Sequence, residues 1–154
     1  MSNITILAVG KLKEKIYSDG VAEYLKRLKP FVKIKVVELS PESFSESNRE
    51  QMREKENQKI LDYLEKNKDK KVVYLTEGGV EYSSVEFSKF LEKENQEIIF
   101  VIGGALGFSE KTLSKMDAKL SLSKMTFLHE MARLILVEQI YRAKMIQGRR
   151  SYHY

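Results

Sequence analysis

The segment from Arg149 to Tyr154 holds two arginines, Arg149 and Arg150, and three rings, Tyr152, His153 and Tyr154. Arginine grips phosphate with two parallel N–H donors, and aromatic rings stack on RNA bases that have left a helix, so this segment has the chemistry of a nucleic-acid contact. The competing reading is a frayed chain end, since termini are commonly mobile. His129 and Arg133 stand four residues apart, as do Glu138 and Arg142, and that spacing puts each pair on one helix face. A histidine in the first turn of a helix is usually unremarkable, and the positive end of the helix dipole disfavours its protonated form. An exposed Glu138–Arg142 pair is worth only a few tenths of a kcal/mol, by the usual order of magnitude for such helix pairs. Gly103-Gly104-Ala105-Leu106-Gly107 follows the most apolar stretch of the chain. Glycine lets a ligand approach the main chain closely, so the run reads either as a cofactor loop or as a strand-to-helix turn.

Several chemistries are excluded or unsupported. The glycine spacing is not Gly-x-Gly-x-x-Gly and does not fall in the first βα unit, and no Gly-Lys-Ser/Thr follows it. Ala8-Val9-Gly10 offers no acidic cluster for a receiver-type switch. There are no cysteines and only two histidines, which leaves no disulfide framework, no thiolate nucleophile and a poor ligand set for a metal.

The elements that must position these residues follow from periodicity. Apolar runs predict strands over 3–9, 71–76, 98–102 and 118–122, the alternation of Val32, Ile34 and Val36 with lysines predicts a half-exposed strand over 32–39, and Glu77-Gly78-Gly79 reads as a turn. Helical spacing predicts helices over 17–28, about 48–66, after Ser83, after Ser109, and about 129–147. Ser83 and Glu86 form a capping box for the third of these, which buries Phe87, Phe90 and Leu91. Met125, Met131 and Met145 read as core filling. Strands alternating with helices predict an α/β fold, a mostly parallel sheet with helices on both faces. In such sheets ligands bind beyond the carboxyl ends of the strands, where 76–79, 103–107 and 123–128 fall. The last helix carries Leu128, Met131, Leu134, Ile135, Leu136, Val137, Ile140 and Ile146 around most of its circumference. One sheet covers one side of a helix, which predicts a symmetric homodimer through this one.

A length of 154 residues predicts a single domain over 1–154. With 42% apolar residues the chain can bury a core. The net charge of +5 is compatible with an anionic partner without specifying one. No apolar run approaches a membrane span and no signal peptide is read at the N-terminus. The lack of cysteine fits a cytoplasmic location.

The glycine loop, Ser121-Leu122-Ser123-Lys124-Met125-Thr126-Phe127-Leu128-His129, Glu138-Gln139-Ile140-Tyr141-Arg142-Ala143 and Tyr152-His153, taken in order, resemble the ribosomal large subunit pseudouridine methyltransferase H (RlmH) family of the SPOUT class. Ile4 to Lys11 also resembles that family's first strand. The resemblance implies a C-terminal trefoil knot, a homodimer, S-adenosylmethionine as cofactor, and methylation of N3 of a pseudouridine in 23S rRNA of the assembled ribosome. It implies cofactor contacts at Leu75, Gly103, Leu122, Ser123, Lys124, Met125, Thr126 and Phe127. Catalytic or RNA-facing roles fall on His129, Arg142, Tyr152 and His153, with either histidine as base or orienting group and no metal. Leu128 stands where the family often carries proline, and Ala105-Leu106 is more apolar than the family's loop. The alternative from another class is a basic α/β module that binds ribosomal RNA without catalysis.

Overall fold

The structure, a computed structural model, describes residues 2–153. Five strands, β1 (Ser2–Val9), β2 (Val32–Leu39), β3 (Lys71–Glu81), β4 (Ile98–Ile102) and β5 (Ala118–Ser121), form one sheet. Their order is β2-β1-β4-β3-β5. All neighbouring pairs run parallel, so every connection must cross a face of the sheet. The crossings are made by α1 (Lys15–Leu28), α2 (Arg49–Glu65), α3 (Ser84–Lys93) and α4 (Glu110–Leu113), and α5 (His129–Gln147) follows β5.

Alternation along the strands builds two cores. Ile4, Ile6 and Ala8 of β1, with Phe100 and Ile102 of β4, face Val21 and Leu28 of α1, Phe87 and Leu91 of α3, and Leu136, Val137 and Ile140 of α5. Leu7, Val9, Ile99 and Val101 point the other way, onto Ile60 and Leu64 of α2. This is the period-2 consequence of the pleat. Every residue of β4 is buried, as a continuous apolar run in a central parallel strand requires.

Local signals behave as the sequence predicts at α3. The Glu86 N–H donates to Ser83 Oγ at 3.1 Å, and the Ser83 N–H donates to Glu86 Oε2 at 2.7 Å. The Ser83 N–H first, and the Ser83 hydroxyl after it, hold the Glu86 carboxyl below the usual carboxylate range. Leu128, ahead of α5, has φ −56°, the value a proline ring would also impose.

Three expectations are corrected. The segment Glu77-Gly78-Gly79 is not a turn that ends β3. Pairing with β5 breaks after Leu75 and resumes at Val80, so these residues bulge out within a longer strand. Met125 is 75% exposed and fills no core, because it lies on the loop after β5 rather than on α5. Phe90 is half-buried, stacked between Phe87 and Tyr82 at the rim of the sheet.

The bulge has a strict requirement. A Cβ at Gly79 would lie 2.6 Å from the Leu120 carbonyl carbon and 2.8 Å from the Ser121 nitrogen. Both are main-chain atoms of β5 and cannot rotate away. Gly79→Ala should therefore push β5 from β3 and destabilise the fold by about 1–3 kcal/mol, the scale of overpacking. Chemical denaturation checks this, and an unchanged midpoint would show that the two strands have slack.

Candidate active site

A cavity of about 670 Å³ opens at the bulge of β3 and beyond the carboxyl ends of β4 and β5. Its walls include Leu75, Gly103, Leu122, Ser123, Met125, Thr126 and Phe127, which are all but one of the cofactor contacts implied by resemblance. Lys124 is exposed and does not line the cavity. Tyr74, Phe108, Leu113 and Ala132, none of them singled out by a sequence pattern, also contribute to the apolar part of the wall. They lie on different elements and carry no local signal. The size falls in the range of about 300–1,000 Å³ typical of small-molecule sites.

The glycine loop owes its shape to what surrounds it. A Cβ at Gly103 would meet the Phe108 ring at 2.9 Å, and one at Gly104 would meet Val9 and a Glu56 carboxylate oxygen at 3.1 Å each. Gly107 has φ +72°, a left-handed value that glycine adopts without a steric cost. Asn57, buried on α2, ties down the loop's far end: its side-chain N–H donates to the Gly107 carbonyl at 3.0 Å, and its Oδ1 accepts from the Ser109 N–H at 2.9 Å. The loop thus turns its main chain toward the cavity while α2 supports it from behind.

The loop after β5 is braced internally. Ser121 Oγ donates to the Ser123 carbonyl at 2.9 Å, and the Met125 N–H donates to Ser123 Oγ at 3.0 Å.

His129 belongs to this cavity wall, and its Nδ1 is buried without a hydrogen-bond partner. Its Cε1 comes within 3.4 Å of a Cβ built on Gly10, a residue at φ +99°. One turn on, Arg133 is almost wholly buried, donating to Glu38 Oε2 at 2.6 Å and to the Gly10 carbonyl at 3.0 Å. Glu130 accepts from the N–H groups of Lys13 and Glu14. The Glu14 N–H, the larger influence, holds its carboxyl below the usual range. Contacts of His129, Glu130 and Arg133 thus fasten the start of α5 to the segment after β1 and to the end of β2, and fix His129 in the wall.

The remaining candidates gather elsewhere. Arg142 donates from Nε and Nη2 to Glu138 Oε1 at 3.1 and 2.7 Å. Its guanidinium lies 4.8 Å from the Tyr152 ring centroid, and Nη1 is 3.4 Å from His153 Nδ1. The Tyr152 hydroxyl donates to Glu138 Oε1 at 3.2 Å and meets the Tyr24 hydroxyl at 3.0 Å. Its ring packs edge-on against Tyr141 at 4.8 Å. Burial, then the Tyr24 contact and the Glu138 charge, push the phenol well above its ordinary pKa, so Tyr152 is a proton-bearing donor at neutral pH.

The frayed-end reading therefore fails through Tyr152: the tail folds back onto α1 and α5. His153 is exposed, and Tyr154 lies outside the described residues. The Glu138–Arg142 pair is also more than an exposed helix pair, since both side chains are largely covered and share Tyr152. His129 and Arg142 are thirteen residues apart on one helix, about 20 Å along its axis. The structure thus unites Arg142, Tyr152 and His153 and separates them from His129 and the cavity.

Residues 2–153 match the family described as "Predicted SPOUT methyltransferase". The chain is 44% identical to a protein of Kosmotoga olearia named ribosomal RNA large subunit methyltransferase H, over 99% of both chains. A protein of the same name from Ligilactobacillus salivarius is 45% identical over 98% of this chain and 99% of its own. Among solved structures, a putative RNA methyltransferase from Bacillus anthracis superposes with a TM-score of 0.56 at 15% identity, over 98% of this chain and 99% of that one. A probable methylase family protein from Haemophilus influenzae gives a TM-score of 0.57 at 13% identity, over 99% of this chain and 70% of that one.

Proposed function

The chain belongs to the SPOUT methyltransferase family, and on that premise we propose that it methylates N3 of a pseudouridine in 23S rRNA of the assembled ribosome, using S-adenosylmethionine. The observation that carries this reading is the cavity at the bulge of β3 and beyond β4 and β5, walled by the glycine loop and by the loop after β5. The near-full-length relatives named as large subunit rRNA methyltransferases support the substrate. The reading includes the family's trefoil knot near the C-terminal end.

The residues present suit the cofactor. A nucleoside with an amino-acid arm needs main-chain donors and acceptors, a flat apolar slot and some polar rim. Gly103 to Gly107 offer the first, Leu75, Leu122 and Phe127 the second, and Ser123 and Thr126 the third. When bound there, S-adenosylmethionine supplies a methyl group activated by its sulfonium. The protein must hold the target imide in line with that methyl, and positioning of this kind supplies several kcal/mol.

Arg142 and His153 supply the rest. The imide N–H has to give up its proton, and His153, the histidine beside Arg142, is the base or orienting group of choice. Arg142 stabilises the charge that spreads onto the flanking carbonyls. Glu138 and Tyr152 orient Arg142 from behind. His129 keeps its place in the cofactor wall and takes no proton in this scheme.

The roughly 20 Å between His129 and Arg142 along α5 sets the assembly. One protomer's Arg142 cluster lies far from its own cavity. A twofold pairing through α5 can bring it to the partner's cavity, so the homodimer is part of the mechanism. The incompletely covered stripe of α5, with Leu128 67% exposed and Met131 and Ile135 half-buried, is the surface for that pairing.

Calorimetric titration with S-adenosylmethionine in EDTA tests the reading. Saturable binding without added metal is expected. No heat at high cofactor concentration would remove the enzyme and leave a basic α/β module that binds ribosomal RNA.

A further inference from the structure

The end of α5 is built against its own backbone preference. The Arg150 N–H donates to the Met145 carbonyl at 2.9 Å and the Arg149 N–H to the Ile146 carbonyl at 3.1 Å, the paired bonds of a Schellman turn. That turn requires a left-handed residue just past the cap, where glycine is the usual choice. Here Gly148 is the cap, at φ −83°, and Arg149 takes the left-handed position at φ +52°. Arg149 is the one non-glycine residue at positive φ among the described residues. Strained conformations of this kind gather at functional positions.

The charges nearby are unequal. Arg27 and Arg142 are paired by Glu23 and Glu138. Among the described residues, no carboxylate lies within ion-pair distance of Arg149 or Arg150, and both are exposed. Arg150 is not free to wander: its guanidinium lies 5.0 Å from the Phe31 ring centroid. Stacking of this kind leaves the N–H edge of a guanidinium available to an anion. Three residues beyond Arg150, His153 stands beside Arg142. Among the described residues, the tail thus carries two guanidiniums without a carboxylate partner immediately before the residues assigned to the target base.

We propose that Arg149 and Arg150 bind the phosphodiester backbone of the RNA strand that adjoins the target nucleoside, fixing its register while Tyr152, His153 and Arg142 hold the base. This rests on the methyltransferase reading above. Arginine matches phosphate oxygens bidentately, and backbone contacts position a nucleic acid without reading its sequence.

Arg149→Gly separates this role from a structural one, because the two predict opposite signs. Glycine relieves the left-handed strain, so the melting temperature should rise, by about 2–4 °C if the relief is near 1 kcal/mol. The charge is lost, so KM for ribosomes should rise about threefold to tenfold. The slope of log(kcat/KM) against log[salt] should also become shallower by about one for the lost phosphate contact. Arg150→Ala should repeat the kinetic change. Lys66→Ala, at an exposed cation on the far side at the end of α2, should leave KM and slope unchanged. If wild-type protein transfers no methyl group to ribosomes, the parent reading fails. If wild type is active and Arg149→Gly keeps its KM and salt slope, the phosphate contact is refuted while the parent reading stands.

Discussion

Arg142→Ala is expected to lower methyl transfer to ribosomes by about 10²–10³-fold at saturating S-adenosylmethionine, the scale of losing one preorganised group that stabilises developing charge. Cofactor affinity should change little, because Arg142 is not among the residues that line the cavity and its proposed partner is the target imide rather than the cofactor. Arg142→Lys should recover little. Lysine cannot make the two-pronged contact with Glu138 that fixes the group's orientation, nor lie flat on the Tyr152 ring. Glu138→Gln provides the internal check: it leaves Arg142 charged but loosens it, so its loss should be smaller than that of Arg142→Ala. Equal turnover in Arg142→Ala and wild type would take Arg142 out of the mechanism.

Deleting Tyr152 to Tyr154 should have two separable effects. The tail is a packed element, so its loss removes an edge-to-face ring contact and two hydroxyl contacts made by Tyr152. Together these are worth about 2 kcal/mol. The melting temperature should fall by about 4–8 °C, at 2–4 °C per kcal/mol for a chain of this size. Below that transition the truncated protein remains folded, and its methyl transfer should fall by about two orders of magnitude or more, the scale of losing an acid–base group together with the orientation of Arg142. His153→Ala should reproduce much of the kinetic loss with little change in melting, since His153 is exposed. In the proposed dimer each tail serves the partner's cavity. A truncated protomer mixed with one carrying a disabled cavity, such as Gly103→Val, should then form heterodimers with one intact composite site. Recovery of activity in the mixture would demonstrate the sharing, and no recovery after subunit exchange would place the site within one protomer.

Much of this was legible from residue patterns. The capping box at Ser83 and Glu86, the apolar run of β4 and the alternation in β2 all act through near neighbours, and near neighbours are what a sequence displays. The loop 103–107 was visible as a possible cofactor loop, but its support by Asn57 and its cradle against Phe108 come from elements tens of residues away. The bulge at 77–79 was misread as a turn because Glu-Gly-Gly fits either. What decides is the main chain of β5 lying against Gly79, a contact no local pattern encodes. The tail was ambiguous for the same reason. Tyr152 is ordered by Tyr24, Glu138 and Tyr141, and the nearest of these is eleven positions away in the chain. The distance from His129 to Arg142 is already contained in a helix over about 129–147, whereas the placement of His153 beside Arg142 depends on the tail folding back.

The measurement that bears most directly on the central claim is transfer of an isotopically labelled methyl group from S-adenosylmethionine to ribosomes whose 23S rRNA lacks the modification, followed by digestion and mass analysis of the labelled nucleoside. Stoichiometric label is expected in 23S rRNA, carried by N3-methylpseudouridine and abolished by Arg142→Ala. Label on another nucleoside, or no transfer by a protein that binds the cofactor and ribosomes normally, would contradict it.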